Sequence, residues 1–115
     1  MISDLHGGAF IAWHDWRSIL KPEIYSQWID KNGIPRWTTN GINITPVSNP
    51  GNNQFELRND SAGGLFLIYT EYGWTNYIER IDSNGNVLWK CNLDVLLDVS
   101  SVNYAVDGYG GIYVL

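Results

Sequence analysis

Asp60-Ser61-Ala62-Gly63-Gly64-Leu65-Phe66-Leu67-Ile68-Tyr69 occurs, with changes, three times in one chain. Asp4-Leu5-His6-Gly7-Gly8-Ala9-Phe10-Ile11-Ala12-Trp13 lies 56 residues earlier. Asp107-Gly108-Tyr109-Gly110-Gly111-Ile112-Tyr113-Val114-Leu115 lies 47 residues later. Each copy places an Asp-x-x-Gly-Gly turn before a short run of aromatic and aliphatic residues, the composition of a strand. Recurrence at a spacing of roughly 50 residues is the mark of a repeat architecture.

A second phrase recurs in step with the first. Tyr25-Ser26-Gln27-Trp28-Ile29-Asp30-Lys31-Asn32-Gly33-Ile34-Pro35-Arg36-Trp37 returns 52 residues later as Tyr77-Ile78-Glu79-Arg80-Ile81-Asp82-Ser83-Asn84-Gly85-Asn86-Val87-Leu88-Trp89. Tyr, Ile-Asp, Asn-Gly and Trp are kept. The first copy carries an insertion at 18–23, which reads as a loop because compact folds place extra residues there.

Each repeat reads as four strands. Runs 9–13 and 65–70 follow the Gly-Gly pair, and runs 24–30 and 76–82 alternate as half-buried strands do. Asn-Gly then signals a hairpin into 34–38 and 86–91, since Gly accepts the left-handed backbone of the turn. A fourth strand, 54–58, with a weaker counterpart at 102–106, leads into the next Asp-x-x-Gly-Gly. The units are therefore 4–58 and 59–106 within a single repeat region spanning 1–115. Residues 1–3 read as the end of a preceding unit and 107–115 as the start of a third. Helix is poorly supported; one helical turn is expected at most, within 93–100, where Val, Ser and Asp are mediocre helix formers. Four strands per period of roughly 50 residues with a recurring Trp predict an all-β chain of antiparallel, four-stranded β-propeller-type blades, about two plus the start of a third. At 115 residues the chain falls short of a closed ring, so the expectation is a fragment of a longer array.

Composition agrees with a packed β protein. Six Trp, seven Tyr and three Phe are present, each able to bury a large surface, and 44% of residues are apolar, which argues against disorder. Seven Lys and Arg against twelve Asp and Glu give a net charge of −5, unsuited to nucleic acid or an anionic membrane surface. No apolar run is long enough to span a bilayer, and a single cysteine, Cys91, allows no intrachain disulfide. The first residues show no signal peptide.

Asp4, Gly7, Gly8, Ile11, Ala12, Trp13, Asp15 and Arg17, followed by Ile24, Tyr25, Gln27, Ile29, Asp30, Gly33, Trp37 and Gly41, form a longer phrase. It resembles a tandem repeat of large bacterial secreted and cell-surface proteins, which are often β-propeller-like. The second copy keeps Asp60, Gly63, Gly64, Tyr77, Ile81, Asp82, Gly85 and Trp89, but has Glu71 for the Asp and lacks the Arg. The resemblance implies an extracellular or surface location and further blades of the same polypeptide as neighbours. It implies no single chemistry.

Trp13-His14-Asp15-Trp16-Arg17 carries the one ligand-binding expectation. Two indoles beside a carboxylate and a guanidinium suit a sugar ring, stacked on its C–H face and hydrogen-bonded at its hydroxyls. Trp13, Asp15, Trp16 and Arg17 are the candidates, with Tyr72 and Trp74, near Tyr69, at the second copy's equivalent. The structural alternative weighs more: Trp13 packs between blades, and Asp15 and Arg17, two apart on a strand, form an ion pair.

The remaining features favour structural roles. Turns at Asp30 and Asp82 are glycine turns, since calcium needs more carboxylates than the one each offers. Ile-Asp-x-x-Gly-x-x-x-Trp resembles the docking repeat of quinone-dependent propeller dehydrogenases, which need a full ring and a central cofactor pocket. His6 and His14 lack the convergent ligands of a zinc site, and Cys91 reads as a buried or half-buried spectator. No Gly-x-Ser-x-Gly elbow and no phosphate loop is present. Asn43-Ile44-Thr45 and Asn59-Asp60-Ser61 fit the glycosylation acceptor pattern. The expectation is a non-catalytic module without cofactor or metal, structural or ligand-binding. Its alternative is a small carbohydrate-binding lectin that closes a ring by self-association of two-blade chains.

Overall fold

The computed structural model describes residues 1–17, 22–45, 54–71, 75–93 and 104–114. Among them every regular element is a strand and every pairing is antiparallel. Sheet I contains β1 (Ile2–Ser3), β2 (Ala9–Asp15), β3 (Glu23–Ile29) and β4 (Ile42–Thr45). Sheet II contains β5 (Phe55–Asn59), β6 (Leu65–Glu71), β7 (Thr75–Ile81) and β8 (Val87–Asn92). Sheet III pairs β9 (Tyr104–Val106) with β10 (Ile112–Val114). Strand order within each sheet is sequential, and the described sheets do not close into a ring. The helical turn expected within 93–100 falls, apart from Leu93, outside the described residues.

The Asp-x-x-Gly-Gly phrase makes the same loop three times. Asp60 Oδ1 accepts from Ala62 N and Gly64 N, both at 2.8 Å, and Asp60 N donates to Gly64 O at 3.2 Å. Asp4 and Asp107 repeat this pattern with their own turns. The two glycines are required for different reasons. Gly63 has a φ of +94°, which strains any residue with a Cβ. A Cβ on Gly64 would lie 2.1 Å from Ile81 O of the neighbouring strand.

In both complete sheets the far oxygen of that aspartate is held from the next strand but one. Trp28 Nε1 donates to Asp4 Oδ2 at 2.9 Å, and Arg80 Nε donates to Asp60 Oδ2 at 3.0 Å. Trp28 and Arg80 occupy the same place in the repeat, so one hydrogen bond is preserved while its donor changes.

The four-strand expectation needs one correction. Residues 34–38 do not form a strand; only Pro35 bridges to Ile29, and β4 starts at Ile42. Pro35 has no N–H to give the ladder. The Gln27 side chain takes over: its Oε1 accepts from Trp37 N at 2.8 Å and its Nε2 donates to Thr38 O at 3.0 Å. In the second copy Val87 and Glu79 stand at these places, and β8 runs on with one bulge. The strand before each Asp-x-x-Gly-Gly also pairs forward: β1 with β2, β5 with β6 and β9 with β10. The sheet is thus offset by one strand from the phrase that opens the repeat.

The sheets stack. Side chains alternate between two faces of each strand, and in β6 both faces are apolar. Leu65, Leu67 and Tyr69 face sheet I, joined by Leu57 and Ile81, and meet Phe10, Ile24, Trp37 and Ile44 in one core. Phe66 and Ile68 face the other way, with Ile78 and Leu93, and Ile112 of sheet III packs on them. Calling the first face A and the second face B, face B of sheet I lies on face A of sheet II, and face B of sheet II receives sheet III. Trp37 fixes the first junction: its Nε1 donates to Ser83 O at 2.9 Å, in the turn between β7 and β8.

Candidate functional site

The last residues of β2 and the 36–41 loop bring Trp13, Asp15 and Arg17 of the sequence-singled group together at face A of sheet I. Trp13 and Asp15 point the same way because they are two apart on a strand. Trp13 Nε1 donates to Asp15 Oδ2 at 2.9 Å. Arg17 grips the same carboxylate twice, Nε to Oδ1 at 2.8 Å and Nη2 to Oδ2 at 2.6 Å. Its backbone N–H adds a bond to Oδ1 at 2.9 Å, and Nη2 also reaches Asn40 O at 2.9 Å. Both carboxylate oxygens are therefore engaged inside the protein.

These donors set the charge state. Hydrogen bonds from Arg17, then from Trp13, hold the Asp15 carboxyl well below the usual carboxylate range, and Asp15 in turn raises the Arg17 guanidinium. The guanidinium lies over the Tyr25 ring, its Cζ 3.8 Å from the centroid. Tyr25 stands directly across from Trp13 in the β2–β3 register, with centroids 6.3 Å apart. Trp16, at 65% exposure, faces solvent. Tyr72 and Trp74 lie outside the described residues.

Below Trp13 lies an open cleft of about 530 Å³, walled by Trp13, Gln27, Pro35, Trp37 and the 39–41 segment. It exists because β4 starts late and the chain loops out after Pro35. A Cβ on Gly41 would lie 2.6 Å from Trp13 Cη2, so the loop can pass under the indole only as glycine.

Three residues of this group were not among the ligand-binding candidates named from the sequence: Tyr25, Gln27 and Asn40. Tyr25 was recoverable, because Tyr77 repeats it. Asn40 contributes only a backbone carbonyl, which no side-chain pattern encodes.

Sheet II carries the counterpart. Tyr69 and Tyr77 stand at the Trp13 and Tyr25 places and stack at 5.6 Å. A cation again caps them, Lys90 Nζ, at 4.1 Å from the Tyr77 centroid and 5.3 Å from that of Tyr69. Tyr69 Oη donates to Glu79 Oε1 at 2.7 Å, and Lys90 Nζ lies 3.6 Å from the same oxygen. Tyr69 is 1% exposed and belongs to the core between sheets I and II, Tyr77 packs half-buried against that core, and Lys90 stays exposed.

The other expected spectators are placed as follows. His6 sits in the first turn, where its N–H serves Asp4, and His14 makes an edge contact with Phe55 at 5.1 Å. Cys91 is half-buried in β8 beside the second core. Asp30 and Asp82 each accept two backbone N–H groups of their turns on Oδ1. Among the described residues no group of three His, Cys, Asp or Glu could hold a metal, and no helix is long and apolar enough to cross a membrane. Scans against protein-family models, curated proteins and solved structures return no match.

Proposed function

We propose that the chain is a non-catalytic repeat module of β-propeller-type blades, about two with the start of a third, serving a structural role in an exported or cell-surface protein. One observation carries the reading. The aromatic pair with a cation on its ring occurs on both complete sheets, and on sheet II its Tyr69 is buried in the core between sheets, with Tyr77 packed half-buried against it. A group whose repeat partner is core is most economically a packing group itself. The internal use of every Asp15 oxygen supports this, because hydroxyl recognition needs polar atoms left over for the ligand. The scarcity of Lys and Arg and the repeat resemblance support an exported setting.

The cleft beside Trp13 favours a second reading as a sugar-binding module, and Trp16 is an exposed indole on the same chain segment. Titration against a panel of mono- and oligosaccharides, read by tryptophan fluorescence and by glycan array, separates the two. The structural reading expects no saturable binding. Saturable binding lost in Trp13→Ala or Trp16→Ala would replace it with the second.

A further inference from the structure

We propose that the cleft along the free edge of β5 binds a small zwitterion with an apolar body, an apolar α-amino acid, with its carboxylate on Arg58 and its ammonium on Glu56. This goes beyond the structural role proposed above and does not depend on it.

The cleft belongs to the middle of the stack. Among the described strands β5 pairs only with β6 and forms one edge of sheet II. Beside that edge stand Ile2 and Ser3 of β1 in sheet I and Val106 of β9 in sheet III. The space they enclose is about 420 Å³. Sites for small molecules run from roughly 300 to 1,000 Å³. Sheets I, II and III all contribute, so the chain itself walls the cleft, whatever stands beyond either outer sheet.

Its frame is held by hydrogen bonds. Asn59 Nδ2 donates to Ser3 O at 2.9 Å and ties β5 to β1. Ser3 Oγ accepts from Leu5 N at 3.0 Å, and Asn59 Oδ1 accepts from Ser61 N at 2.6 Å. Leu5 is held there at a φ of +67°, where the other two copies of the turn place Ser61 and Gly108. A branched apolar residue in the left-handed region is strained, and strain of this kind collects at ligand clamps. The side chain so placed does not repay the strain by packing: Leu5 is 62% exposed at the mouth of the cleft.

The charges sit on β5. Glu56 and Arg58 are two apart and project from the face opposite Leu57, which is in the core. The repeat partners of Arg58, set by the strand registers, are Ile2 and Ala105, so the blade itself does not ask for a charge here. Arg58 Nη2 lies 2.6 Å from Glu56 Oε1, and the two side chains keep 40% and 51% of their surface exposed. Such an exposed pair adds little to stability. Arg58 Nε, by contrast, is buried and finds no acceptor among the described residues. A donor left in that state costs free energy. A ligand carboxylate on the guanidinium supplies the acceptor once the exposed side chain rotates towards it.

The pair also selects the ligand. A simple anion on Arg58 would lie against the Glu56 carboxylate, and a simple cation on Glu56 against the guanidinium. Only a molecule with both charges side by side meets both groups with the right sign, through charge-assisted hydrogen bonds. Its apolar body then covers Leu5 and Val106, the second of which is 37% exposed.

Titrating the full chain with L-leucine and L-phenylalanine, followed by backbone amide shifts, tests this. N-acetyl-L-leucine and L-leucinamide, each lacking one charge, are the controls, and Arg58→Gln and Glu56→Gln are the variants. Both side chains are exposed, so both variants should fold; near-UV circular dichroism checks this, and either variant alone carries the test. The expected result is saturable shifts at the amides of 56–59 and 106 with at least one amino acid. Binding should be several-fold weaker for each control and lost in each variant. No saturable shift with either amino acid overturns the proposal. So does N-acetyl-L-leucine binding as well as leucine, which marks a carboxylate site, or a shift pattern that survives in a folded variant. These outcomes leave the structural module reading to its own saccharide titration.

Discussion

Gly63 and Gly64 sit side by side and answer to different forces, so they separate in mutation. Gly64→Ala drives a methyl into Ile81 O and is expected to cost about 3 kcal/mol, the range of an overpacked core. Gly63→Ala meets nothing within 4 Å and pays only for its left-handed backbone, about 1 kcal/mol. Urea unfolding of the two variants measures the gap; equal losses would mean that the close approach to β7 is absent. At the same scale, Asp15 makes the fold acid-sensitive. Its folded-state pKa lies below its unfolded value, so its contribution is full above the ordinary carboxylate value near 3.8. The contribution falls away as pH drops below that value towards the folded-state pKa. Asp4, Asp82 and Asp107 are lowered in the same direction by the N–H donors of their turns, with the Trp28 indole the leading donor for Asp4. Urea midpoints followed from pH 7 down to acid should decline below the carboxylate range, and Asp15→Asn should decline less steeply. Parallel curves would mean that Arg17 and Trp13 do not hold the ionised carboxylate.

At the scale of elements, β2, β3, β6 and β7 were legible in the sequence within a residue or two, because Gly-Gly and Asn-Gly punctuate alternating apolar runs. β4 was not. Pro35 follows the same Asn-Gly signal as Val87, and the local pattern promises a hairpin in both copies. What decides the outcome is that Gln27, a side chain on the facing strand, satisfies Trp37 N and Thr38 O in place of a ladder. Such long-range polar substitution leaves no periodicity to read. The cleft and the Arg17–Asn40 bond depend on that loop, so they were illegible for the same reason. Gln27→Ala should leave the buried Trp37 amide without its acceptor and cost about 2 kcal/mol. Amide exchange at Trp37 should accelerate while exchange within β6 and β7 changes little. Unchanged exchange at Trp37 would show that water or another group takes the place of Oε1.

At the scale of the whole molecule, the repeat predicted units that pack on one another, and the aromatics are spent there. Phe10, Trp37, Phe66 and Tyr69 all sit in or at the edge of the junctions between sheets. The Asp15–Arg17 pair belonged to the sequence reading as an ion pair; its capping of Tyr25, and the equivalent tyrosine pair under Lys90, became visible only when the two sheets were laid in register. The central claim is that face B of sheet I lies on face A of sheet II, with Trp37 seated on the turn that holds Gly85. A nuclear Overhauser experiment on the Trp37 indole N–H reads that junction directly. The expected result is cross-peaks from the indole to Ser83 and Gly85 protons, across 46 residues of sequence at the Ser83 carbonyl. An indole with cross-peaks only to residues of sheet I would contradict it.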